Sequence, residues 1–166
     1  MVTAPRESSK ERVALLVDVQ NVYYTTRQAF GRHFNYHAFW ARFATDCEVR
    51  LANAYAIDRG DPRQRQFQDI LRGIGFEVKL KPYIQRSDGS AKGDWDVGIA
   101  LDAMEAAPLV DRVVLVSGDG DFDLLVERMR ERHGVTVDVV GVERLTADSL
   151  IRAANRFVPI AGGLLL

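Results

Sequence analysis

Residues 113–122 read Val-Val-Leu-Val-Ser-Gly-Asp-Gly-Asp-Phe, and the prediction of the fold starts from this stretch. An unbroken run of apolar, mostly β-branched residues is typical of a strand buried on both faces of a parallel sheet. The run ends in Ser117, Asp119 and Asp121, and apolar residues then recur at helical spacing. Two carboxylates therefore lie where a strand passes into a helix, on the side of an open α/β sheet that binds ligands. Helix capping is an alternative explanation, because Asp121 could be the N-cap of a helix that opens at Phe122.

Strands and helices alternate along the rest of the chain. Residues 13–19 form a second buried-strand run that contains Asp18, and Asn21 behind it is a candidate N-cap. Further strands are predicted at residues 49–57, 76–82, 135–142 and 157–159, and further helices at residues 36–47, 62–74, 94–107 and 147–154. The predicted buried stripe of the helix at 94–107 is Val97, Ala100, Leu101 and Met104. This alternation predicts an α/β fold with one parallel sheet covered by helices on both faces.

The composition is that of an ordinary globular protein of 166 residues, with 22 basic and 23 acidic side chains. This balance gives no support to wholesale electrostatic binding of nucleic acid, so a basic surface has to be local. The single Cys47 excludes an intrachain disulfide, and no apolar run is long enough to span a membrane. We expect a cytoplasmic protein with no membrane partner. A homodimer is possible. The expected organisation is a disordered segment at residues 1–11, one domain at 12–160 and an apolar tail at 161–166.

Carboxylates occupy similar positions in three separate segments. Asp18 ends one predicted strand, Asp119 and Asp121 follow another, and Asp94 and Asp96 open the helix before it. If the two strands are neighbours, these carboxylates converge on one cleft. Close carboxylates repel, so without a bound ion at least one of their pKa values should be raised. A divalent cation that prefers oxygen ligands removes the repulsion, and the set therefore predicts a Mg²⁺ or Mn²⁺ site.

Other site chemistries find less support. His33 and His37 stand four residues apart, but the helix boundary expected between them argues against a zinc pair. Asp18 is followed by Val-Gln, which disfavours a phospho-aspartyl phosphatase. No glycine-rich phosphate loop is present, so a nucleotide cofactor is weakly supported. Carboxylate-held Mg²⁺ ions characteristically activate water for attack on a phosphodiester.

Three motifs together resemble the NYN-domain family of the LabA-like type, a branch of the PIN-like nucleases. The motifs are Asp18-Val-Gln-Asn21, Lys92-Gly-Asp-Trp-Asp96-Val-Gly-Ile-Ala-Leu-Asp102 and Ser117-Gly-Asp-Gly-Asp121-Phe. Each is weak alone, but the three in this order and spacing are specific, and the resemblance covers residues 12–160. It implies a PIN-like, Rossmann-like three-layer α/β/α sandwich and a metal-dependent ribonuclease or RNA-processing role.

The resemblance also implies roles for individual residues. The metal-holding carboxylates would be Asp18, Asp96 and Asp119, with Asp121 beside them. Asn21 would complete the catalytic set by orienting the site, and Ser117 would tie down the carboxylate loop.

Asp94 complicates the assignment, because many relatives have only one Asp after Lys-Gly. Two residues apart on a helix is a rotation of about 200°, so Asp94 and Asp96 cannot both face one metal if both are helical. We take Asp96 as the ligand and Asp94 as a cap or an outer partner. Asp102 is expected to be structural.

Substrate contacts are expected from basic and aromatic residues near the predicted cleft. Arg86 and Lys92 belong to a segment at residues 84–93 that is predicted to be a loop, and Arg59 follows the second strand. Together with Tyr83 as a stacking surface, they could form a phosphate-binding rim for single-stranded RNA. Ordinary solvated charge explains the same residues equally well.

The leading hypothesis is therefore a Mg²⁺- or Mn²⁺-dependent endoribonuclease in which the Asp cluster holds a metal-activated water for phosphodiester hydrolysis. One alternative is a regulatory module that binds RNA or protein and retains the acidic site without strong catalysis. Another is a metal-dependent phosphatase that acts on small phosphorylated substrates. A basic stripe leading to the carboxylates would favour RNA over a small substrate.

Overall fold

A parallel sheet lies at the centre of the protein. The structure is a computed structural model that describes residues 10–82, 84–85, 91–92 and 94–166. The strands are β1 (Arg12–Asp18), β2 (Glu48–Asp58), β3 (Glu77–Pro82), β4 (Ile84–Gln85), β5 (Ala91–Lys92), β6 (Arg112–Val116), β7 (Thr136–Gly141) and β8 (Arg156–Pro159). Six of them form one sheet in the order β3-β2-β1-β6-β7-β8, with every neighbouring pair parallel. The strand order reverses between β1 and β6, which is where ligands bind in sheets of this kind.

Helices cover both faces of this sheet. They are α1 (Val19–Phe30), α2 (Tyr36–Phe43), α3 (Pro62–Ile74), α4 (Asp96–Ala106), α5 (Asp123–His133) and α6 (Asp148–Ala153). Alternate residues of β1 belong to separate hydrophobic clusters, because successive side chains of a strand point to opposite faces. Leu15 packs in the cluster of α1, α2 and α3, whereas Leu16 packs in the cluster of α4, α5 and α6. The predicted three-layer α/β sandwich is confirmed.

Helix α4 differs from its prediction in its start and in its buried face. It begins at Asp96, so Asp94 lies outside the helix. Val97 is 69% exposed and Leu101 61% exposed, and the residues that face the sheet are Ile99, Ala103 and Ala106. Apolar residues surround this helix on nearly every side, so their spacing did not identify the buried face.

The capping alternatives for Asn21 and Asp121 are not borne out, because each helix start lies at a different residue. Asn21 is inside α1, and Asp18 is the N-cap, accepting a hydrogen bond from the Asn21 backbone N–H at 3.3 Å. After β6, a 3₁₀ turn at Gly120–Phe122 precedes α5. Its cap is Asp119, whose Oδ1 accepts from the Asp121 N–H at 2.9 Å. Both strand-end aspartates therefore cap helical turns.

Three further expectations concern the hairpin and the ends of the chain. Inside the segment predicted as a loop, β4 and β5 pair as an antiparallel hairpin. Residues 1–9 of the segment predicted to be disordered lie outside the described residues. At the other end Leu164 and Leu165 are buried, and Leu165 forms a β-bridge with Phe34. No helix in the described ranges combines the length and the apolar character needed to cross a bilayer.

Candidate metal centre

The site begins where β1 and β6 end side by side. Val17 of β1 pairs with Val116 of β6, so the next residues, Asp18 and Ser117, emerge together at the carboxyl edge of the sheet. The Ser117 hydroxyl donates a hydrogen bond to Asp18 Oδ2 at 3.1 Å and accepts one from the Asp119 N–H at 3.2 Å. Asp18 and Ser117 are both buried. One hydroxyl thus links the buried carboxylate of β1 to the carboxylate loop after β6.

Three carboxylates converge above this pair. One oxygen each from Asp96, Asp119 and Asp121 lies within 4.8 Å of the other two. Asp121 is exposed, while Asp96 and Asp119 are half-buried. The group contains no histidine or cysteine, so its donors match hard, oxygen-preferring cations such as Mg²⁺ and Mn²⁺. Asp18 is not a member of this group, although its negative charge contributes to raising the pKa of Asp96.

Asn21 and two glycines hold the carboxylate loop in place. Asn21 Oδ1 accepts a hydrogen bond from the Gly118 N–H at 2.9 Å, which joins the first turn of α1 to the loop. A Cβ at Gly118 would lie 2.8 Å from the Leu145 carbonyl oxygen, and a Cβ at Gly120 would lie 2.8 Å from Ala147 Cβ. The segment after β7 therefore packs too closely against the loop for larger residues.

Two carboxyl groups of the site have raised pKa values. Burial raises the pKa of Asp18 to about 6, although hydrogen bonds from Asn21 and Ser117 oppose that change. Burial also raises the pKa of Asp96 to about 7, helped by a hydrogen bond with the Asp119 side chain and by the charges of neighbouring aspartates. The expectation of at least one raised pKa is confirmed. The larger cause is burial rather than the repulsion from which the sequence argument started.

The remaining predicted residues lie at the margin of the site or outside the described part of the chain. Asp94 precedes α4, and its Oδ1 accepts a hydrogen bond from the Asp96 N–H at 3.2 Å. Arg59 is exposed in the turn after β2, where its backbone N–H donates to Gln64 Oε1 at 2.8 Å. Lys92 belongs to β5. Tyr83 and Arg86 lie outside the described residues.

The structure adds a cation that the sequence analysis missed. Lys81 on β3 donates from Nζ to the Asp94 carbonyl oxygen at 3.2 Å and lies 4.5 Å from the centre of the Trp95 ring. Trp95 Nε1 donates to the Ala56 carbonyl at 2.8 Å, which fixes the indole beside the start of α4. The signal for Lys81 was the alternation of Lys79 and Lys81 along β3, which places both side chains on one face.

Asp102 lies further along α4 and serves a different network. Its Oδ2 accepts hydrogen bonds from the Tyr55 hydroxyl at 2.8 Å and from Lys79 Nζ at 2.9 Å. These contacts join α4 to β2 and β3. They agree with a structural role for Asp102 and separate it from the three converging carboxylates.

Adjacent parallel strands that end in a carboxylate cluster, within a three-layer α/β sandwich, are consistent with a PIN-like domain. The sequence model of the NYN domain matches residues 12–161. The chain is 31% identical over 157 residues to the low amplitude and bright protein LabA of Synechococcus elongatus, and the alignment covers 90% of this chain and 83% of LabA. The chain therefore belongs to the NYN domain family and is of the LabA-like type, as the three motifs predicted.

A solved structure has the same fold. The crystal structure of a protein of unknown function from Vibrio parahaemolyticus matches this chain with a TM-score of 0.92 and 60% sequence identity. The match covers 98% of this chain and 100% of the other. Since both chains are covered almost completely, the six-stranded architecture belongs to that protein as well.

Proposed function

We propose that this protein is a Mg²⁺- or Mn²⁺-dependent endoribonuclease that cuts single-stranded RNA at the carboxylate cluster. The observation that carries the proposal is the set of carboxylate oxygens of Asp96, Asp119 and Asp121 within 4.8 Å of one another. Within the described ranges, none of the three forms an ion pair with lysine or arginine. Membership of a family related to PIN-like nucleases supports RNA as the substrate.

Different residues would have different roles in such a site. Asp96, Asp119 and Asp121 would hold the cation, and Asp18 would stand behind them with its orientation fixed by Ser117. A bound divalent cation supplies charge neutralisation at the phosphate and lowers the pKa of a water molecule. Because the pKa of Asp96 is about 7, this carboxyl must lose its proton before it becomes a full ligand at neutral pH. We assign Lys81, whose Nζ donates to the Asp94 carbonyl just before α4, to a substrate phosphate.

The test is a cleavage assay on internally labelled single-stranded RNA with Mn²⁺. Wild type should give internal cuts, and Asp119→Asn should be at least about 100-fold slower, because metal-ion charge stabilisation is worth several kcal/mol. Asp69→Asn is the matched control, since Asp69 is an exposed carboxylate on α3 that pairs with Arg72. It should cut like wild type. RNA binding without any cutting would instead favour the regulatory binding module.

A further inference from the structure

Helix α1 displays aromatic side chains to solvent immediately after Asp18. Tyr23 is 40% exposed, Tyr24 49% and Phe30 42%. Among the residues that the structure describes, these are the aromatic members of the exposed large hydrophobic set. Single exposed apolar residues are common, but three exposed aromatic side chains on one helix indicate a binding surface. Neither the fold nor the carboxylate cluster requires it.

The two tyrosines are held in a defined arrangement. The rings of Tyr23 and His33 stack with centroids 5.9 Å apart and planes 24° apart. Arg27 donates to the Tyr23 hydroxyl at 3.0 Å, and its guanidinium lies 5.9 Å from the centre of that ring. Tyr24 meets Tyr23 edge to face at 5.5 Å. Tyr23 is thus held by contacts on two sides. It packs against Tyr24, which keeps about half of its own surface in solvent.

The stretch of sequence that carries these rings has basic and no acidic side chains. Between Asp18 and Asp46 the sequence contains no Asp or Glu, although the whole chain has more acidic than basic residues. The same stretch carries Arg27, Arg32 and Arg42. Arg144 adds another cation by donating to the Gln28 carbonyl at 3.4 Å, one helical turn beyond Tyr24. This is the local basic surface that a nearly neutral chain needs for binding an anionic polymer.

The surface lies on the helix whose first turn contacts the carboxylate loop. Asn21, which bonds to the carboxylate loop through Gly118, lies three residues before Tyr24 and therefore about 60° from it around the helix. Along the helix axis, Tyr24 stands about 9 Å from Asp18. Tyr24 therefore lies one helical turn beyond the residue that contacts the carboxylate loop, at the same end of α1.

We propose that the α1 aromatic surface, formed by Tyr23, Tyr24, Arg27, His33 and Arg144, binds unpaired bases of the RNA strand next to the carboxylates. The proposal rests on the ribonuclease function and specifies how the substrate is held. Aromatic rings stack on any base, and arginine side chains track the backbone phosphates, so binding tolerates sequence but requires single strands. Tyr24 provides the stacking face and Tyr23 supports it.

The experiment measures RNA binding without cleavage. Fluorescence anisotropy with a labelled single-stranded RNA of about 12 nucleotides, in chelator, reports affinity alone. Tyr24→Ala should weaken binding about 5- to 100-fold, the range expected for one base–aromatic stack, whereas Tyr24→Phe should stay within about twofold of wild type. Leu109→Ala, which removes an exposed apolar side chain from the turn before β6, is the matched control and should bind like wild type.

Abasic RNA sharpens the test, because it keeps the phosphates and removes the stacking partners. Abasic RNA should bind wild type as weakly as intact RNA binds Tyr24→Ala. The substitution Tyr24→Ala should not weaken the binding of abasic RNA any further. Arg144→Gln should reduce the slope of log affinity against log salt by about one for either RNA. If Tyr24→Ala lowers the affinity for intact and abasic RNA equally, Tyr24 does not stack on a base.

These outcomes separate the surface from the proposed catalysis. If intact RNA binds Tyr24→Ala as tightly as wild type, the proposed role of the α1 aromatic surface is contradicted, even if the protein cleaves RNA in Mn²⁺. Tyr24-dependent binding without cleavage in Mn²⁺ supports the surface and contradicts the nuclease. The proposal is overturned if wild type binds no single-stranded RNA. It is also overturned if Tyr24→Ala changes only the binding of a protein partner.

Discussion

The two ends of the sheet hold carboxylates in opposite ways. Near the amino ends, the fully buried Asp138 on β7 accepts from Arg112 with both oxygens at 2.9 Å and from Arg156 at 2.9 Å. At the carboxyl ends, Asp96 and Asp119 face each other and Asp121, with no arginine or lysine ion pair within the described ranges. At the amino end, the negative charge of Asp138 is neutralised by two arginines of the chain. At the carboxyl end, no lysine or arginine among the described residues neutralises the carboxylates, so a bound cation would.

This difference separates a structural carboxylate from a candidate binding site. Burying a charge is costly, and a paired charge recovers much of that cost from its partner. Carboxyl groups without a cationic partner respond with raised pKa values: burial is the larger cause for Asp18 and for Asp96, and the charges of neighbouring aspartates add to it. A protein that retains such a cluster gives up stability in the ion-free state, which is expected of a site shaped for function.

The largest expected effect is on stability at the paired end. Asp138→Asn leaves two guanidinium groups without their buried partner and should lower the free energy of unfolding by about 3 kcal/mol. Urea unfolding with and without Mn²⁺ should show the same loss, because Asp138 is remote from the carboxylate cluster. The exposed Asp69 pairs with Arg72, and Asp69→Asn should cost about 0.5 kcal/mol or less. A similar loss for both variants would remove the contrast between the two ends.

The next effect concerns stabilisation by the ion at the unpaired end. Mn²⁺ at 100 times its dissociation constant should raise the free energy of unfolding of wild type by about 2.7 kcal/mol. Asp119→Asn should gain much less from Mn²⁺ and, without it, should be at least as stable as wild type. The measurement is urea unfolding of both proteins in chelator and in Mn²⁺. Equal stabilisation of the two would show that the ion binds elsewhere.

Unbroken apolar runs made this edge of the sheet predictable, whereas side-chain contacts between distant segments could not be predicted from the sequence. The runs before Asp18 and Ser117 indicated buried parallel strands, and neighbouring strands bring their ends together. The buried face of α4 was harder to predict, because Val97 and Leu101 have the spacing of a buried stripe and yet are exposed. The ion pair of Lys79 with Asp102 joins α4 to β3, and its two residues are far apart in sequence.

The raised pKa values predict how stability depends on pH. Asp18 has a folded-state pKa of about 6 against an ordinary 3.8, so the folded protein binds more protons than the unfolded chain between these values. This contribution is complete below about pH 4 and is lost as the pH rises through about 6. In chelator, the stability of wild type relative to Asp18→Asn should fall by about 1–2 kcal/mol from about pH 5 to about pH 8.

Asp96 should act in the same direction, since its folded-state pKa of about 7 is also raised. Asp18→Asn and Asp96→Asn should therefore each flatten part of the pH dependence, and urea unfolding across this range measures it. Asp69→Asn should follow wild type at every pH. Curves for Asp18→Asn and Asp96→Asn that run parallel to wild type would contradict the pKa assignment.

The smallest effect tests the hydroxyl that joins the two strand ends. Ser117→Ala removes the bonds to Asp18 Oδ2 and from the Asp119 N–H and should cost about 1 kcal/mol. Because the Ser117 hydrogen bond lowers the pKa of Asp18, its loss should raise that pKa further above 6, as titration of the carboxyl carbon by NMR would show. Thr25→Ala removes a hydroxyl that donates to the Asn21 carbonyl at 2.8 Å and should leave the Asp18 titration unchanged. If both variants titrate like wild type, Ser117 holds the loop without tuning the carboxylate.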